Sequence, residues 1–90
     1  MSTKQNPGEF DCYAAALPEE PMFILLARDE DAPLLVRMWA ERYLRFKAMY
    51  GLTEHVKNKH VEALHCADEM LIFQNKLRAG EIIIPARDYK

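Results

Sequence analysis

Gly51 and Leu52 separate two long stretches whose apolar residues recur at helical spacing. So short a link leaves two helices one arrangement, an antiparallel hairpin. The first stretch predicts a helix over 32–50. Asp29 or Asp31 caps its start, Pro33 fits a first turn that needs no N–H from it, and Gly51 offers a left-handed C-cap. Leu35, Trp39, Tyr43, Phe46 and Tyr50 recur at spacings of four and three and make the predicted core stripe, widened by Val36 and Ala40. Leu34, Met38 and Met49 fall partly outside it, so this helix is apolar over more than one face. Thr53 opens the second helix, predicted over 53–78 and ended by Gly80, with Val56, His60, Ala63, Leu64, Ala67, Met70, Leu71, Gln74 and Leu77 along its stripe. The small Ala63 and Ala67 are read as the seat for Trp39 and Tyr43, and on that reading Trp39→Ala costs about 3–5 kcal/mol.

Two apolar runs flank the hairpin. Met22 to Ala27 is continuous, bounded by Pro21 and by Arg28-Asp29-Glu30-Asp31, and predicts a buried strand over 22–27. Ile82-Ile83-Ile84, β-branched and set between Gly80 and Pro85, predicts a second strand over 81–85. The fold class is therefore α+β and predominantly helical: a two-helix hairpin between short N- and C-terminal strands, in β-α-α-β order. The strands would satisfy their backbones by pairing with each other or with copies in another subunit. Residues 1–8 are small and polar and read as a disordered leader, and 9–90 as one small domain.

A chain of 90 residues buries only roughly 60–65% of the surface it exposes when unfolded. With half its residues hydrophobic, it carries more apolar surface than one monomer hides, which predicts a homo-oligomer. A net charge of −2 argues against generic nucleic-acid coating, which draws on a basic surplus. Cys12 and Cys66 match no zinc or redox spacing, and no apolar run approaches the length of a membrane span. The expectation is a cytoplasmic protein with reduced thiols, no metal and no cofactor.

Nothing in the residue pattern points to an enzyme. The one serine is Ser2, and three glycines leave no phosphate-cradling loop. Glu62-x-x-His65, with Glu69 a turn on and Glu41 across the hairpin, has the spacing of a ferritin-like metal site. These side chains point away from the Ala63/Ala67 line, so a solvated Glu–His pair is the preferred reading. The first helix is locally basic. Arg37, Glu41 and Arg45 suggest an i, i+4 salt-bridge ladder. Arg28, Arg37, Arg42, Tyr43 and Arg45 form the candidate ligand-binding set, because guanidinium groups pair with phosphate and aromatic rings stack on bases. Leu34, Met38 and His60 are the candidate interface residues.

The segment EEPMFILLARDEDAPLLVRMWAERY, with FDCYAAALP before it and EALHCADEM after it, resembles small uncharacterised phage and prophage accessory proteins. Those pair a DEPxFxLLARD opening with an APxLVxxWA helix and a later Ala/Cys-rich helix. The resemblance runs from Phe10 to about Met70, and the isoleucine run departs from it. It implies a viral accessory protein that counteracts a host defence without catalysis, by sequestering a nucleotide-like signal or blocking a host protein. The alternative is a virion accessory or regulator that acts through its exposed apolar helix face.

Overall fold

A computed structural model describes residues 2–85, so the first residue of the expected leader and the last five of the expected domain lie outside the described residues. Three helices follow one another: α1 Cys12–Ala15, α2 Ala32–Ala48 and α3 Glu54–Arg78. The two long helices pack on each other over their length. Their direction is antiparallel, since Gln74 meets the turn before α2, Arg37 meets Asp68, and Trp39 and Tyr43 meet Lys59.

Local chemistry sets the helix ends. The Asp11 carboxylate accepts from Ala14 N at 3.1 Å and starts α1. The Thr53 hydroxyl accepts from Val56 N at 3.2 Å and starts α3. Between the long helices Gly51 adopts φ +101°, which a side chain would strain. The start of α2 differs from the capping expectation. Asp31 holds the N-cap position without a side-chain bond, and Pro33 stands in the first turn. Asp29 instead accepts from Leu26 N at 3.1 Å, closing the turn that precedes the helix.

No strand forms among the described residues, so the β-α-α-β order is corrected to an all-helical one. Both 22–27 and 81–85 are irregular, and Phe23 and Ile83 are 87% and 86% exposed. The physical reason is that a strand is completed by a neighbour. Two short runs at the open end of a hairpin have no sheet to join, and an isolated two-stranded ribbon is marginal in water. The first run is also drawn into the Leu26–Asp29 turn.

The core differs from the predicted stripe as well. The inward face of α2 is Pro33, Val36, Ala40 and Leu44, and that of α3 is Val56, Ala63, Ala67 and Gln74. Ala40, Ala63 and Ala67 are all 0% exposed. Small residues on both sides let the helices approach closely, and the bulky aromatic stripe of α2 is left outside. Trp39 is 43% exposed, Phe46 58% and Tyr50 74%. No large side chain is fully buried among the described residues. The chain exposes 7505 Å², against about 5,400 Å² for a compact monomer of this mass. Its radius of gyration of 14.7 Å likewise exceeds the about 12 Å of a compact domain.

Residues 2–8, read from composition as a leader, carry a turn in which Thr3 N donates to Asn6 O and Asn6 N donates to the Thr3 hydroxyl, both at 3.0 Å. Gly8, at φ +77°, lies against Glu62 so closely that a Cβ there would come within 2.7 Å of its Oε1.

Candidate functional site

The outer face of α2 follows from helical geometry. At 100° per residue, Leu35, Arg42 and Met49 line up almost opposite the inward Val36–Ala40–Leu44 row, with Met38, Trp39 and Phe46 beside them. A helix this apolar on two sides hides one side against α3 and presents the other to solvent. Leu34, Leu35, Met38 and Met49 are all exposed, Met49 by 76%.

A shallow depression of about 730 Å³ lies on this face, lined by Trp39, Arg42, Tyr43, Arg45, Phe46 and Met49. Trp39 and Tyr43 stack with ring centres 4.8 Å apart and planes 14° from parallel. Behind them Lys59 of α3 sets its ammonium 5.5 Å from the Tyr43 ring centre, 5.8 Å from Trp39 and 5.9 Å from Phe10. Phe10, buried at the end of the N-terminal segment, thus joins α2 and α3 through a cation shared by three rings. Phe46 and Tyr50 continue the aromatic surface at 5.4 Å.

The five candidate ligand-binding residues separate into three places. Arg42, Tyr43 and Arg45 line the depression together. Arg37 turns to α3 and pairs with Asp68. Arg28 lies near the other end of the hairpin, beside Glu30, Gln74, Leu77 and Arg78. From there to Arg42 the helix alone spans about 15 Å. The Arg37–Glu41–Arg45 ladder does not form: among the described residues the only ion pairs are Arg37–Asp68 and His65–Glu69. Glu41, Arg42 and Arg45 therefore reach solvent without an ion pair among the described residues. Of the interface candidates, Leu34 and Met38 are exposed and His60 is half-buried on α3.

The Glu62-x-x-His65 pair does not assemble. His65 Nε2 meets Glu69 Oε1 at 3.2 Å, one turn on, with both side chains exposed. Glu62 turns toward Gly8, and its Oε2 is buried with no hydrogen-bond partner among the described residues. There, too, no three His, Cys, Asp or Glu side chains are grouped to hold a metal ion. Burial pushes the Cys66 thiol pKa up, and the neighbouring Glu62 and Glu69 add to the effect. Cys12 is exposed on α1, so the two thiols are chemically unlike.

Sequence reasoning placed Gln74 on the apolar stripe without a role. The structure gives it one. It is buried, and its Nε2 donates to the carbonyls of Ala27 at 2.9 Å, Asp29 at 3.0 Å and Glu30 at 3.3 Å. One amide thereby ties the turn before α2 to α3. A polar amide on a mostly apolar row was the available signal. No described helix is long and apolar enough to cross a membrane. Compared with known protein families, curated proteins and solved structures, the chain matches none.

Proposed function

We propose that this is a non-enzymatic binding protein whose working surface is the outer face of α2. The observation that carries the reading is the row of exposed Leu34, Leu35, Met38, Trp39, Phe46 and Met49, interrupted by Arg42 and Arg45, which have no ion pair among the described residues. Exposed apolar surface of this extent costs solubility unless something covers it, and recognition surfaces characteristically combine aromatic, methionine and arginine side chains. The resemblance of the 19–40 segment to phage accessory proteins adds a setting. There the protein acts in the bacterial cytoplasm and counteracts a host defence by masking a protein surface.

Met38→Asp places a charge in the middle of the row at a position that carries no part of the hairpin core. Its helix content is expected to match that of the native chain. In bacteria challenged with phage, the native chain is expected to relieve restriction and Met38→Asp to fail. Equal relief by both would remove α2 from the mechanism, and no relief in any defended host would remove the anti-defence reading.

The depression supports a second reading, capture of a nucleotide-like anion. Trp39 and Tyr43 offer ring faces, and Arg42 and Arg45 offer guanidinium groups for phosphate. As a shallow surface on one copy it would enclose little of such a ligand, which ranks this reading second. Calorimetry with cyclic and linear nucleotides tests it, and absence of heat with all of them would eliminate it.

A further inference from the structure

We infer that the outer face of α2 is covered by a second copy of this chain, packed antiparallel across a two-fold axis at the level of residue 43, so that Glu41 of each copy meets Arg45 of the other. The inference rests on the reading of this face as the working surface: the second copy covers it in the free protein, and a host target binds there by displacing that copy.

Area is the first support. At the sizes of such side chains, the exposed fractions of Leu34, Leu35, Met38, Trp39, Phe46 and Met49 amount to roughly 700 Å² per copy, close to the about 800 Å² per partner that a stable interface buries. The chain as a whole exposes about 2,000 Å² more than a compact monomer of its mass, some of it along the N-terminal segment. A hairpin with no large buried side chain gains most from an interface that supplies the missing core.

Charge gives the orientation. Glu41 and Arg45 stand one turn apart on the same edge of the apolar row, and neither has an ion pair among the described residues. A two-fold axis between antiparallel helices sets the same edge of each against itself with the direction reversed. Centred at residue 43, it brings Glu41 opposite Arg45 twice. The same register brings Trp39 to within one residue of the level of Phe46 of the other copy, and Met38 to within one residue of the level of Met49. A parallel pairing would place opposite edges together and leave these charges apart. Arg42 approaches its own copy near the axis, the one unfavourable encounter. Its planar guanidinium can stack on the Trp39 and Phe46 rings that line the same depression.

Sedimentation equilibrium of the full chain at micromolar concentration tests the inference. The native chain is expected to be a dimer. Glu41→Arg and Arg45→Glu are each expected to raise the dissociation constant at least tenfold, with helix content unchanged. An equimolar mixture of the two variants is expected to recover dimer, because one copy then presents two arginines and the other two glutamates. Recovery on mixing cannot come from a bond within one chain.

A native chain that stays monomeric at 100-fold higher concentration would overturn the second copy and leave a foreign partner on α2. A dimer indifferent to both charge reversals but broken by Phe46→Asp would overturn the antiparallel register alone. A dimer that survives Phe46→Asp would overturn the register and the reading of the outer face as the self-association surface together.

Discussion

The two sides of α2 are made from the same class of residue and have opposite fates. The inner side carries Pro33, Val36, Ala40 and Leu44, and meets α3 along Ala63 and Ala67. The outer side carries far larger apolar groups, Leu35, Met38, Trp39, Phe46 and Met49, and meets solvent. Total hydrophobicity therefore does not decide which side turns inward. What decides is how closely two helix backbones can come. Alanines facing alanines bring the helices together and gain dispersion contacts along the whole seam. Indole and phenyl rings would hold them apart and, on a two-helix unit, would find no third element to close around them.

That contrast predicts unequal sensitivity to change. The largest effect is expected at Ala63→Leu, where extra methylenes enter a seam with no free space. About 3 kcal/mol is lost, measured by urea unfolding, and near-native stability would mean that the seam is looser than its burial indicates. Gln74→Leu comes next. It leaves the carbonyls of Ala27, Asp29 and Glu30 without their donor and is expected to cost about 1–3 kcal/mol. Protection of the α2 N-terminus against hydrogen exchange should fall with it.

Trp39→Ala is expected to cost about 1–2 kcal/mol in the isolated hairpin, since nearly half of the ring is already exposed. The 3–5 kcal/mol that a buried tryptophan would command is not reached. A loss of that size would return the ring to the core and erase the distinction between the two sides.

The smallest effect concerns Cys66. Burial raises its pKa in the fold, so the thiol contributes stability that is fully present below the unfolded value of about 8.5 and is lost as pH rises through the folded value. The native chain should therefore lose slightly more stability than Cys66→Ala between pH 8 and pH 10. A thiol reagent at pH 8 should modify exposed Cys12 well before Cys66, and equal rates would contradict the burial.

How much of this was legible beforehand follows from the same contrast. Periodicity, Thr53 and the two-residue link carried enough local information to place both long helices within two residues of their ends at Ala48 and Glu54. The facing of α2 was not legible, because spacings of three and four describe both of its sides equally well. The row Ala40, Ala63 and Ala67 was visible in the sequence, but it was matched to the rings rather than to itself. Strands were expected at 22–27 and 81–85 because apolar, partly β-branched runs favour extended backbone. Pairing is a property of two segments, and neither run contains its mate.

Within the candidate site, Arg42, Tyr43 and Arg45 were readable as neighbours because one helix turn fixes them. The withdrawal of Arg37 to Asp68 depended on a contact 31 residues away. Arg28 was separated from the rest by the length of the helix between them.

Trp39 has one more consequence, an optical one. It is the only tryptophan in the chain, and it sits at the boundary between seam and solvent with Tyr43 on one side and the Lys59 ammonium beside it. Its emission therefore reports on that boundary with no label attached. Anything that settles on the outer face of α2 dries the indole and shifts its fluorescence to the blue, whereas melting of the hairpin shifts it to the red. Covering and unfolding, which both remove the native exposed state, leave opposite colours.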